Sequence, residues 1–289
     1  MRFRSITTTG TAEPTPDSDR KTVRLHSKSV IGLLLVAGAA LGAAFELAPR
    51  VLLRPSFGAY SDAKLHDALG RAFVEYWRSE SRALPAHLTS LVDYWFQWHA
   101  IKVVNSALLA IVLALLTTGL WQKYLRGRRW YAAVATAATV STVFVIWVLS
   151  VNIQVAALPL IPLLGVLPGR AAEGKLAQVL SEMREGLTKS ASPHAGSPAL
   201  TVLLGEVERY YWVTAAISAT LMVATGLASA HFWKRRITGD PSATRVRFMH
   251  STLGVITALT ACLLLLETAG SALSALEPAT SLLGIIGAG

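Results

Sequence analysis

The run Val103–Trp121, VVNSALLAIVLALLTTGLW, carries no charged residue from end to end. The hydrocarbon core of a bilayer is about 30 Å thick, so a helix needs about 20 apolar residues to cross it. Runs of the same character stand at Val30–Phe45, Trp130–Val155, Tyr210–Trp233 and Ser251–Leu266. The last three reach spanning length with their interfacial flanks, and Val30–Phe45 does so if it continues to Ala48. The expected fold is therefore all-α: a polytopic transmembrane helical bundle of five spans, with amphipathic helices in two outer loops. Composition agrees, since charged residues make up 15% of the chain where a soluble domain carries about 25%.

The formal net charge of +10 raises the question of nucleic acid, and its distribution points elsewhere. The segment before the first span carries Arg2, Arg4, Arg20, Lys21, Arg24 and Lys28. Lys123, Arg126, Arg128 and Arg129 fill the second-to-third connection, and Lys234, Arg235, Arg236, Arg245 and Arg247 the fourth-to-fifth. Together these segments hold 15 of the 27 basic and 4 of the 17 acidic residues, a net of +11 against −1 for the rest. Such one-sided excess in short loops orients helices with the basic side inward. The expected topology is a plasma-membrane protein with a cytoplasmic N-terminus and an extracytoplasmic C-terminus. Anionic lipid headgroups are the expected partner of the basic loops, and no nucleic acid is expected.

The expected organisation follows in chain order: 1–28 a disordered basic tail, 29–48 the first span, 49–102 an outer helical loop, and 103–155 the second and third spans. Then come 156–209 as a second outer loop, 210–273 as the fourth and fifth spans, and 274–289 as an outer C-terminal tail. A basic flank, an apolar run and Ala39, Ala40, Ala43 and Ala44 also describe a secretory signal peptide. The length of the run and the absence of a clean small-x-small cleavage site favour an uncleaved signal anchor. Gly38 and Gly42 form a small-residue ridge suited to close helix packing.

In the first outer loop Leu65, Leu69, Phe73 and Tyr76 recur at helical spacing among Lys64, Asp67, Arg71, Glu75 and Arg78. That pattern is an amphipathic helix, and Pro85 ends its neighbourhood. In the second, Leu176, Val179, Leu180, Met183 and Leu187 share a face opposite Glu173, Lys175, Glu182, Arg184 and Glu185. Ser190–Pro198 then breaks the chain before a helix leading into the fourth span. The apolar stripes are expected to form a cap over the bundle or to meet a protein partner or a second copy. The order of span, amphipathic helix, turn and next span occurs twice. TGLWQKYLRGRR (Thr118–Arg129) and SAHFWKRR (Ser229–Arg236) are weakly alike at the inner ends. Val155–Leu167 is apolar but contains Pro159 and Pro162, so it is a re-entrant segment, an interfacial one, or a loop packed under the outer helices.

VDYWFQWHAIKVVNSALLAIVLALL (Val92–Leu116), NIQVAALPLIPLL (Asn152–Leu164) and the ALTVL stretch at Ala199–Leu203 resemble hypothetical multi-pass integral membrane proteins of actinobacteria. The resemblance spans about Leu88 to Trp233, and it implies no substrate, cofactor or catalytic residue.

The chemistry of the chain is sparse. Ionisable groups at membrane depth are usually functional, and here Glu46 and Glu267 lie only near the outer ends of the first and fifth spans. No HExxH, GxSxG or P-loop motif occurs. Cys262 alone cannot form an intrachain disulfide or a thiolate metal site, and no cofactor is expected. His231 and His250 flank the fourth-to-fifth connection at similar depth, where interfacial roles are expected ahead of haem ligation. The candidate interaction or polar site is Phe73, Trp95, Trp98, His99 and Lys102. Tyr94, Trp95, Phe96 and Trp98 sit where an aromatic belt belongs, and His99 and Lys102, beside Asp93, open the second span. The expected function is a non-enzymatic scaffold, assembly factor or accessory subunit. The alternatives are a transporter or channel component, and a membrane enzyme or haem carrier.

Overall fold

A computed structural model describes residues 17–57, 62–167, 173–189 and 197–287, with side chains at 30–55, 63–167, 173–188 and 197–287. The structure is 89% helical, and the described residues contain no strand. Five helices are long and apolar enough to cross a membrane: α1 (Asp17–Phe57), α3 (Ala86–Leu125), α4 (Tyr131–Ala157), α7 (Pro198–Thr238) and α8 (Thr244–Leu276). Shorter helices are α2 (Asp62–Arg78), α5 (Leu160–Leu164), α6 (Gly174–Lys189) and α9 (Pro278–Gly287). α3 packs along α4 and α1 along α3, while α7 and α8 form a second hairpin that meets the first more lightly.

The spans are held together by small and hydroxylic residues, as is usual where lipid tails are as apolar as leucine. Between α3 and α4, Trp121 Nε1 donates to Thr139 Oγ1 at 3.1 Å and the hydroxyls of Thr117 and Thr142 meet at 3.1 Å. Between α7 and α8, Ser229 Oγ donates to the Gly254 carbonyl at 3.0 Å. A Cβ on Gly254 would stand 3.1 Å from Trp233 Nε1, so a larger residue there would have to displace the indole by a few tenths of an ångström. Gly38 of the expected ridge faces Val112 of α3 at 3.9 Å, whereas Gly42 faces open space. Leu33, Val36, Leu108, Ile111, Leu227, Leu259 and Leu263 are exposed on the outside of the spans, as lipid-facing side chains are.

α3 has 40 residues, about 60 Å at 1.5 Å per residue, roughly twice a hydrocarbon core. It and α7 are therefore longer than a crossing needs, and α2, α5, α6 and α9 pack around one end of them as a cap. The expected amphipathic helices are α2 and α6, and their stripes turn inward. Leu69, Phe73, Tyr76, Val179, Leu180 and Met183 are all fully buried in one core with Leu88, Leu163, Leu164, Leu200, Leu203 and Val207. α2 lies on α6, with a Cβ at Gly70 only 3.2 Å from Leu176 Cδ2. Trp77 Nε1 donates to Glu182 Oε2 at 3.2 Å across the same seam.

Three boundaries differ from the sequence expectation. α1 starts at Asp17, ahead of residue 29, and runs past Ala48 to Phe57 with Pro49 and Pro55 inside it; residues 1–16 of the expected tail lie outside the described residues. A proline costs one intrahelical hydrogen bond, and near a wet helix end water can satisfy the freed carbonyl. Residues 274–287 of the expected C-terminal tail are almost wholly helical, and 288–289 lie outside the described residues. α8 continues to Leu276, and α9 inserts Leu282 and Ile286 into the cap core, with Arg184 Nη2 donating to the Ile286 carbonyl at 2.8 Å. Val155–Leu167 packs with the outer helices, as one of the three possibilities had it. α5 follows the break at Pro159, and Leu160, Ile161, Leu163, Leu164 and Leu167 are buried in the cap core.

Candidate functional site

The candidate residues divide between two places. Phe73 is a fully buried member of the cap core, unavailable to a partner in this fold. Trp95, Trp98, His99 and Lys102 fall on successive turns of α3, where that helix leaves the cap and joins α1 and α4. The i, i+3 and i+4 spacing places Trp95, Trp98, His99 and Lys102 within reach of one another.

His99 is fixed by α4. Asn152 Nδ2 donates to the Val148 carbonyl at 2.7 Å, so its Oδ1 faces His99 Nδ1 at 2.9 Å. A carbonyl oxygen only accepts, so Nδ1 carries the proton in the neutral ring, and Nε2 carries the lone pair. That assignment follows from the hydrogen-bond network. Nε2 is buried and has no partner among the described residues, and the same holds for the Trp95 indole N–H. The two rings lie 4.9 Å apart between centroids. An acceptor and a donor are thus held side by side in an apolar setting, where an unmade hydrogen bond costs about 1–3 kcal/mol.

One turn on, Lys102 reaches toward α1. Its ammonium lies 3.8 Å from Glu46 Oε1, 4.5 Å from the centroid of Phe45 and 5.8 Å from that of Trp98. The lysine side chain is mostly buried while Glu46 is well exposed. Exposed ion pairs contribute about 0–1 kcal/mol, and a cation over an aromatic face adds about 0.5–1 kcal/mol. The carboxylate partner comes from α1, and Asp93, the acid nearest in sequence, stands exposed at the cap.

Sequence analysis missed the layer around this point. Asn105, Ser106, Ser150, Asn152, Gln154, Thr214 and Ser218 are buried polar residues on α3, α4 and α7. The signal sought there was a carboxylate, whereas this layer is built from neutral amides and hydroxyls. Some of it is satisfied within its own helix: Ser106 Oγ donates to the Lys102 carbonyl at 2.7 Å and Ser150 Oγ to the Ile146 carbonyl at 2.9 Å.

At the other end of the bundle, the α7–α8 hairpin does bring His231 and His250 to one level. There Arg235 Nε donates to His231 Nε2 at 3.0 Å, which uses a lone pair an iron would need, and Phe232 stacks on His250 with centroids 6.2 Å apart. No group of three or more His, Cys, Asp or Glu side chains among the described residues could hold a metal ion. Comparison with protein-family models, curated proteins and solved structures finds no match.

Proposed function

We propose that this chain is a non-enzymatic scaffold or accessory subunit of a membrane assembly, with its cap as the contact surface. The cap itself supports this most directly. Its apolar core is closed within the chain, so the α2–α6 pair displays Asp67, Arg71, Glu75 and Glu182 on a surface that is already rigid before any partner arrives. A preformed surface lowers the ordering cost of association. The one-sided basic charge supports an orientation with the basic end in the cytoplasm and the cap outside, at the plasma membrane.

The test is co-purification of the full chain in mild detergent, with mass spectrometry of what it retains. Simultaneous charge reversal at Asp67, Arg71 and Glu75 changes exposed positions and should shift folding stability by no more than about 0.5 kcal/mol each, yet should release the partner. Retention of the same partners by a folded triple variant would remove the cap from the contact.

The buried neutral polar layer favours a second possibility, a transporter or channel component. It offers hydrogen-bonding groups midway along α3 and α7 and at the cap-side end of α4 without a fixed charge. Solute or proton flux in proteoliposomes that disappears with Asn152→Leu would favour this second reading over the first.

A further inference from the structure

Two basic connections converge at the end of the bundle opposite the cap. Gly127, in the α3–α4 connection, has φ 119°, and the site a Cβ would take there lies 3.2 Å from Arg245 Nη1. The Arg245 guanidinium therefore rests against the stretch that carries Arg126, Arg128 and Arg129. Apolar packing fixes this arrangement. The rings of Tyr124 and Phe248 lie 5.8 Å apart, and Met249 and Leu253 pack against Leu116, Leu120, Trp121 and Tyr124.

Among the described residues no carboxylate forms an ion pair with Arg126, Arg128, Arg129, Arg245 or Arg247. Asp240, in the neighbouring connection, is exposed and accepts from the Ser242 backbone N–H at 2.9 Å. Like charges gathered by packing repel one another as the inverse of their distance, so the site favours an anion. Its depth says which kind. Trp130 and Tyr131 stack at 3.9 Å beside it, Lys123 Nζ lies 5.6 Å from the Tyr131 centroid, and Val246 and Phe248 are exposed among the arginines. Amphipathic rings belong at headgroup level, and exposed apolar side chains between guanidinium groups suit acyl chains above a phosphate.

We propose that the junction of Gly127 with Arg245, flanked by Arg128 and Arg129, is a seat for the phosphate of an anionic phospholipid in the leaflet at the basic end. The guanidinium fork matches two phosphate oxygens at once. The proposal is independent of the scaffold role and of the direction the chain faces.

The test uses the full-length protein in zwitterionic detergent, with native mass spectrometry after addition of phosphatidylglycerol or phosphatidylcholine. Phosphatidylglycerol should be retained in preference. Arg245→Gln should weaken that retention about fivefold, the factor that roughly 1 kcal/mol per basic residue gives. Lys234→Gln, the same charge change at the same end, should leave it unaltered. Should Arg245→Gln melt at a lower temperature in lipid-free detergent, the pair Arg128→Gln and Arg129→Gln, both exposed, takes its place. Equal retention of the two lipids, or equal loss in Lys234→Gln, would leave only a diffuse field and overturn the site. Displacement of the lipid by inorganic phosphate alone would assign the arginines to a soluble anion and overturn the lipid.

Discussion

Phe73→Ala is the sharpest test of the cap. Phe73 is fully buried between α2 and α6, in a core to which α3, α5, α7 and α9 also contribute. α2 has 17 residues, and a helix of that length is marginal on its own in water, so its order depends on the stripe it buries. Truncating a buried phenylalanine costs about 3–5 kcal/mol, the transfer term plus the cavity left behind. If α2 opens locally, exchange protection of its amides should fall on the order of a hundredfold to a few thousandfold, at 1.36 kcal/mol per decade. The assay is hydrogen–deuterium exchange of the purified protein in detergent, read on peptides covering 62–78 and 174–189. Phe96→Ala, at a residue 46% exposed on α3, serves as the control and should leave both peptides near wild type. Equal protection in Phe73→Ala and wild type would mean that the stripe contributes nothing to holding α2, and the packing account of the cap would fail.

Two glycines should respond oppositely to alanine. Gly254→Ala puts a methyl 3.1 Å from Trp233 Nε1 and should lower the melting midpoint, while Gly226→Ala, which meets nothing within 4 Å, should raise stability by up to about 1 kcal/mol; the same sign for both would refute the close approach of α7 and α8. Asn152→Leu strands the His99 Nδ1 proton and should cost about 1–3 kcal/mol, with a coupling of at least about 0.5 kcal/mol to His99→Leu in a double-mutant cycle; simple additivity would break the pair. Burial, with a smaller contribution from Glu206, holds the Tyr76 phenol above its ordinary value. The neutral form is thus the folded one: its contribution is complete below about pH 10 and is lost as pH rises through the higher folded value. Because that hydroxyl has no partner among the described residues, Tyr76→Phe should be neutral to stabilising at pH 7 and should flatten the alkaline fall of a pH–melting curve; a cost above about 1 kcal/mol at pH 7 would show that the hydroxyl is satisfied. In a Cys262→Ser background, Arg82→Cys should label from outside intact cells and Ser242→Cys only after permeabilisation; the reverse pattern would invert the orientation.

The fold was legible where one periodicity decided it. Leu65, Leu69, Phe73 and Tyr76 can share a face only on a helix, and a helix with that face exposed would not persist. Burial of all four side chains was therefore implied once the period was read. What covers them was not implied. Val179, Leu180 and Met183 lie a hundred residues away, and nothing in either stripe names the other as its partner. The same limit hid α9. TSLLGIIG is short and rich in small residues, so it reads as tail, and Leu282 and Ile286 become core only because α6, α7 and α8 leave a place for them.

The polar site shows a second limit. Sequence spacing along α3 was enough to place Trp95, Trp98, His99 and Lys102 together, because neighbours on one helix are fixed by its geometry. Their partners across helices were not fixed by anything local: Lys102 turns to Glu46 on α1, and His99 to Asn152 on α4. A span without charge also invites the inference that its interior is inert. Here the third span ends in Ser150, Asn152 and Gln154, all buried, and a single amide selects the tautomer of a histidine on the neighbouring helix. Neutral amides cost less to bury than carboxylates, so they can orient a buried ring without placing a charge in the span. For that reason a reading of the spans by charge alone passes over the contact of Asn152 with His99.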